Sequence, residues 1–196
     1  MLAQANGLIS KMGLLEDRAF KMKYKNALIQ SMEMLAKEKN IVFVGYNVNY
    51  GSRMYGTLST VPKSKCLETP LAENLMAGMC ICMALEGYKP VLIFERHDFI
   101  LNSLDALVNH LDKIESMSEG QFTAPVIIRA VVGSKKPLDP GPQHTQDFTK
   151  LLKEVFHFPV IELNTSEEII KAYESALSSK KPAMLIEKRD MYDMEC

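Results

Sequence analysis

Ile41-Val42-Phe43-Val44-Gly45 is a continuous apolar run that stops on glycine, the pattern of a strand covered on both faces rather than on one. Upstream of it, Tyr24 to Lys39 carries Ala27, Leu28, Met32, Met34 and Leu35 at helical spacing and closes in Lys37-Glu38-Lys39-Asn40, which predicts a helix. Downstream, after a loop from Tyr46 to Lys65, strand-type and helix-type patterns take turns. The expected order is a helix from Thr69-Pro70 to Glu86, strand Val91 to Phe94, helix Ser103 to Met117, strand Val126 to Val131, helix Thr145 to Phe156, strand Val160 to Leu163, helix Ser166 to Ser178 and strand Ala183 to Glu187. Such alternation implies crossover connections and an α/β fold, a doubly wound, mostly parallel sheet with helices on both faces. Ser166 with Glu168, and Ser103 with Asp105, read as helix starts.

A chain of 196 residues supports one substantial core, so a single domain over residues 22–196 is expected, preceded by an N-terminal extension at 1–21. The net charge of −1 leaves no basic excess to neutralise phosphates, which argues against nucleic acid and anionic membrane as partners. The apolar runs fall short of the roughly 20 residues that a bilayer needs, and residues 1–20 lack the pattern of a secretory signal. A cytoplasmic location is expected. Cys66, Cys80, Cys82 and Cys196 show no metal-ligand spacing and read as small buried residues of a reduced compartment.

In Leu67-Glu68-Thr69-Pro70-Leu71-Ala72-Glu73-Asn74, Thr69 suits an N-cap and Pro70 the first helical position. The helix that follows has apolar residues on nearly its whole circumference, so it should be buried on all sides. Glu73, its only charge before Glu86, would then enter an apolar place, where burial raises a carboxyl pKa and lets it carry a proton near neutrality.

Open α/β sheets bind ligands beyond the carboxyl ends of their strands. Two such ends stand out. Glu95-Arg96-His97-Asp98-Phe99 mixes charge, imidazole and ring. Gly133 to His144 is a long loop rich in Pro and Gly that delivers His144 to a helix start. Loops of this length are often functional. No glycine-rich nucleotide motif follows any strand.

These stretches resemble a known family. Leu67-Glu68-Thr69-Pro70-Leu71-Ala72-Glu73 is similar to the "(D)TP-(I/L)-x-E" segment in the beta subunit of thiamine-diphosphate-dependent 2-oxo acid dehydrogenases such as pyruvate dehydrogenase. Ser103-Leu104-Asp105-Ala106-Leu107-Val108-Asn109 resembles its "A-I/F-D-Q-I/V-x-N" helix, Gln143-His144-Thr145-Gln146 its "QHSQ", and Lys181 to Glu187 with Met191-Tyr192 its "NPVVVLE...LY" ending. Gly141-Pro142-Gln143-His144 is also similar to the "GPTH" of transketolases. The matches run in order from about Tyr24 to Tyr192.

The resemblance implies a transketolase-like pyrimidine-binding domain. Glu73 would hydrogen-bond the aminopyrimidine ring of thiamine diphosphate and favour the imino tautomer that activates the cofactor toward a 2-oxo acid or ketose carbonyl. Phe99 would pack on that ring and His144 would face the substrate, while His97, which has no firm family counterpart, is a further pocket candidate. Family members hold the diphosphate and its magnesium through "GDG...N" in another domain, and Gly-Asp-Gly does not occur here. A partner subunit bearing that domain is therefore expected, in an α2β2 assembly docked on the apolar helix. Two departures stand out. The family's "GE(E/D)V" reads Gly45-Tyr46-Asn47-Val48, without the acids expected between paired sites, and the chain stops before the beta subunit's usual C-terminal domain. A split transketolase, a 2-oxo acid decarboxylase subunit and a non-catalytic interaction subunit of the same fold are the alternatives.

Overall fold

The computed structural model describes residues 22–136 and 138–196; the expected N-terminal extension lies outside them. Six strands, β1 (Ile41–Gly45), β2 (Cys66–Glu68), β3 (Lys89–Phe94), β4 (Ile127–Val132), β5 (Val160–Glu162) and β6 (Ala183–Lys188), form one sheet. Their order is β2-β1-β3-β4-β6-β5, and every pairing is parallel.

Successive residues of a strand face opposite sides. Val91 and Ile93 of β3 therefore join one apolar cluster with α1 (Tyr24–Ala36) and α5 (Ser166–Ser178). Leu92 and Phe94 join the other, with α2 (Glu73–Leu85) and α4 (Thr149–Val155). The result is a doubly wound, three-layer α/β fold. Among the described residues no helix is long and apolar enough to cross a membrane.

The elements depart from expectation where local chemistry competes with the helical pattern. Thr69 does not cap α2. A residue before proline is driven to extended backbone, and Thr69 donates its N–H to the Gly45 carbonyl at 3.0 Å, prolonging the β2 ladder. The helix starts instead at Glu73, with Ala72 as N-cap and no side-chain cap. Nor is α2 buried on all sides, because Leu75 and Leu85 are exposed, as is Leu71 just before it. Cys66 and Cys80 are buried as expected, but Cys82 on α2 is exposed and Cys196 only half-buried.

The region read as one helix from Ser103 to Met117 is three pieces: a 3-10 segment His97–Ser103, a π-helical segment Asp105–Leu111 and the short α3 (Ile114–Met117). The Ser103 hydroxyl donates back to the Ile100 carbonyl at 2.8 Å, which removes it as a cap. At α5 the cap is Thr165 rather than Ser166. Thr165 and Glu168 form a reciprocal capping box, with Glu168 N–H to Thr165 Oγ1 at 3.1 Å and Thr165 N–H to Glu168 Oε2 at 3.2 Å.

At the amino end of β3, the Lys89 ammonium donates to the carbonyls of Ala176 (3.3 Å), Leu177 and Ser179 (2.7 Å). It closes the C-terminus of α5, a favourable place for a cation. Inside the sheet, Arg129 and Glu187 form a fully buried ion pair. Glu187 also accepts from the hydroxyls of Tyr173 (2.9 Å) and Tyr192 (2.7 Å), and Arg129 donates to Thr57 Oγ1 at 2.8 Å. Burial opposes the Arg129 charge, but the Glu187 carboxylate outweighs it and holds the guanidinium charged.

Removing one partner of such a pair leaves an uncompensated buried charge. Glu187→Ala is expected to lower unfolding free energy by about 3–5 kcal/mol, read from urea titrations; a loss below about 1 kcal/mol would show that the pair does not hold the sheet.

Candidate active site

From β1 the chain passes outward to β2 on one side and then across to β3 on the other. A crevice at the carboxyl ends of the strands belongs where the order reverses. A cleft of about 520 Å³ opens there, lined by Tyr46 after β1, Glu73 and Met76 of α2, Glu95 and Arg96 at the end of β3, Phe99 and Asn102 of the following turn, and His144. Glu73, Phe99 and His144, distant in sequence, thus share one wall. That volume suits a small-molecule ligand.

Glu73 is half-buried rather than enclosed. Its Oε2 accepts from Asn102 Nδ2 at 3.2 Å, which orients the carboxylate. Phe99 stands edge-on to the His144 ring, with centroids 5.4 Å apart at an interplanar angle of 88°, a favoured aromatic geometry. His144 Nδ1 is buried and has no hydrogen-bond partner among the described residues.

His144 does not start a helix. It ends a single 3-10 turn, Pro142–His144, and α4 begins only at Thr149. The reason lies in acceptors supplied from the end of β3. Asp98 Oδ1 accepts from Gln146 N–H (3.1 Å) and Gln146 Nε2 (3.0 Å), and His97 Nδ1 accepts from Phe148 N–H (3.1 Å). These bonds hold the backbone out of the helix. His97 is accordingly not on the cleft wall: it is fully buried beneath the loop. Burial pushes its pKa down against the opposing pull of Asp147 and Asp98, so the imidazole is neutral near pH 7. The loop also depends on a close approach, since a Cβ on Gly133 would stand 1.8 Å from the His144 carbonyl oxygen.

The wall on the β1 side is built around the loop that follows Gly45. The Glu68 carboxylate accepts the consecutive N–H groups of Asn47 (2.6 Å), Val48 (3.0 Å) and Asn49 (2.7 Å). Asn47 Nδ2 donates to Glu95 Oε1 at 2.9 Å. Acids are therefore present at this loop, supplied by β2 and β3 rather than by its own sequence. Beyond it, Arg53, Met54, Tyr55 and Gly56 all take positive φ, a left-handed turn costing about 1–2 kcal/mol per non-glycine residue. Buried Met54 and Thr57 anchor it, together with bonds from Arg53 to the carbonyls of Val48 (3.3 Å) and Val61 (2.7 Å).

The turn presents the Tyr55 ring to two guanidinium groups, Arg96 at 5.3 Å and Arg189 at 4.9 Å. Its hydroxyl donates to the Glu95 carbonyl at 3.4 Å. Burial, reinforced by Glu95, pushes its pKa up to about 12, which keeps that donor protonated. A second groove of about 550 Å³, lined by Gly78, Ile81, Cys82, Ala106, His110 and Phe122 among others, is more apolar and holds a ring and an imidazole but no acid.

The class of protein is thus a doubly wound α/β domain with an all-parallel sheet, whose candidate site, at the point of strand reversal, joins an acid, an aromatic ring and an imidazole. The family described as "Transketolase, pyrimidine binding domain" matches residues 20–194, and the chain belongs to that family. It is 26% identical over 171 residues to "Pyruvate dehydrogenase E1 component subunit beta" of Cyanidium caldarium, covering 83% of this chain and 50% of that one. To "Pyruvate dehydrogenase E1 component subunit beta-3, chloroplastic" of Arabidopsis thaliana it is 26% identical over 167 residues, covering 83% and 41%. The chain thus spans about half the length of the curated relatives it matches. A solved structure titled "Split gene transketolase, inactive beta4 tetramer" aligns with a TM-score of 0.66 at 14% identity, over 86% of this chain and 52% of that one; at that identity the likeness shows the fold.

Gly133→Ala is expected to push the His144 turn away from β4 and break the Phe99–His144 contact, at a cost of about 1–3 kcal/mol. Unchanged His144 ring shifts in NMR spectra would refute this. His97 yields a pH dependence. Above about pH 6.5, the ordinary histidine value, the ring is neutral both folded and unfolded. Below it only the unfolded state takes up the proton, so stability falls on acidification until the depressed folded pKa is reached. His97→Asn, which keeps an acceptor for Phe148, should flatten that limb of a urea-midpoint profile; an unchanged slope would assign the effect to other groups.

Proposed function

We propose that this chain is the pyrimidine-binding subunit of a two-chain thiamine-diphosphate-dependent enzyme that cleaves the bond next to the carbonyl of a 2-oxo acid. The observation that carries the reading is the convergence of Glu73, Phe99 and His144 on one cleft at the strand reversal. The residues fit the cofactor's pyrimidine end. Asn102 occupies Glu73 Oε2 alone, leaving Oε1 to meet a ring nitrogen. Phe99 offers an aromatic surface, and the orphaned His144 Nδ1 offers a polar atom that an occupant would satisfy.

When bound, the cofactor would supply a carbon nucleophile and an electron sink. Glu73, oriented by Asn102, would hold a proton at the pyrimidine ring. Phe99 would fix the ring plane and exclude water. His144 would face the substrate and exchange a proton with it, its place fixed by the contact at Gly133 and by the bonds from Asp98 and His97. His97 itself acts as a support for the loop in this reading.

The diphosphate and its magnesium would be held by a partner subunit, in an α2β2 assembly. The exposed Leu71, Leu75 and Leu85 supply apolar surface of the kind that obligate interfaces bury. A cytoplasmic location is kept as part of the proposal. A split transketolase is the second reading, favoured by Gly141-Pro142-Gln143-His144, whose last residue lines the cleft; product analysis with pyruvate against sugar phosphates separates the two.

Glu73→Gln, assayed with the partner chain present, should lower turnover by about 100-fold or more while the complex still assembles, since general acid–base groups contribute on that scale. Full activity in that variant would reject the assignment.

A further inference from the structure

We infer that Arg96 reads an anionic group of the substrate at the cleft, a carboxylate or a phosphate ester, with Tyr55 as the residue that positions it. For the occupant of the pocket this rests on the function proposed above.

Arg96 closes β3 at the strand reversal and lines the same cleft as Glu73, Phe99 and His144. It is half-buried, and no carboxylate among the described residues pairs with it. The acid next to it in sequence forms no ion pair with it; Glu95 Oε1 accepts from Asn47 instead.

The neighbour that holds Arg96 is a ring. Its guanidinium carbon sits 5.3 Å from the centre of the Tyr55 ring. A cation–π contact of this kind consumes no acceptor, so the guanidinium keeps its N–H donors for other groups. One terminal nitrogen lies 3.3 Å from where a Cβ on Gly133 would stand, in the corner that also holds the His144 carbonyl. A planar fork free to donate beside an imidazole suits bidentate recognition of a carboxylate or phosphate. The strain of the left-handed turn at Arg53–Gly56 has a role in this arrangement: it brings Tyr55 to Arg96.

The test uses the full chain, titrated at constant ionic strength with sodium pyruvate, inorganic phosphate and the neutral ester methyl pyruvate, and followed by amide NMR shifts. Pyruvate or phosphate should bind saturably and move signals of residues 95–99 and 144–146, whereas methyl pyruvate should not. Arg96→Gln should weaken anion binding by about tenfold or more, the scale of one charged hydrogen bond. Arg96→Lys should lose less, and Tyr55→Leu should weaken binding while keeping the charge. Preference for pyruvate identifies a carboxylate reader, and preference for phosphate a phosphate-ester reader.

Unaltered anion affinity in Arg96→Gln, equal affinity for methyl pyruvate, or no saturable binding of either anion would overturn the inference. If Arg96→Gln fails to fold, the ester comparison on the wild-type chain and the Arg96→Lys titration still decide. The two readings fail separately. Turnover indifferent to Glu73 alongside Arg96-dependent anion binding removes the enzyme assignment alone, and the converse removes this inference alone.

Discussion

The ion pair between Arg129 and Glu187 is the constraint on which both the sheet and the cleft depend. Two opposite charges in the middle of a closely packed sheet are tolerable only when hydrogen bonds offset their loss of water, and here all but Arg129 Nη1 among the charged atoms find a partner. The partners come from far apart in the chain: Tyr173 on α5, Tyr192 after β6, and Thr57 in the loop after β1. Thr57 follows the left-handed turn directly, so the group that satisfies a core charge also fixes the place of Tyr55. The interior and the binding wall are in this sense one structure.

The architecture was readable because parallel strands buried on both faces leave uninterrupted apolar runs, as Ile41 to Gly45 and Val91 to Phe94 do. The β2 strand was not. It has only three residues at the sheet edge, too few to show a period, and its existence follows from Thr69 being held extended before Pro70. Likewise, the segment from His97 to Met117 keeps helical spacing of its apolar residues, yet local bonds such as Ser103 to Ile100 break it into turns of differing pitch. Arg129 and Glu187 fall within two of the expected strands, but that they pair with each other required three dimensions.

At the cleft, the residues lifted from motifs came together while those judged by proximity in sequence did not. Glu73, Phe99 and His144 meet, and His97, two residues from Phe99, points away into the core. Glu68 and Glu95 could not be assigned to the Asn47 loop from sequence because they act through space, on backbone N–H groups and an amide. The expected enclosure of Glu73 rested on counting the apolar residues of α2, and composition does not say which side of a helix the rest of the chain covers. Leu71, Leu75 and Leu85 are on the side it leaves open.

The candidate site lies at the carboxyl ends of the strands, and Lys89 marks the opposite edge. There an ammonium, its pKa lowered by burial, ties β3 to the last carbonyls of α5 and touches nothing in the cleft. Substitutions at that edge act on how long the folded molecule survives chaperones and proteases, so that a losing variant is scarcer in the cell while each surviving copy keeps the geometry of the cleft. Inherited variation in the two halves of the sheet would thus fall into separate classes, one that changes abundance and one that changes the shape of the cleft.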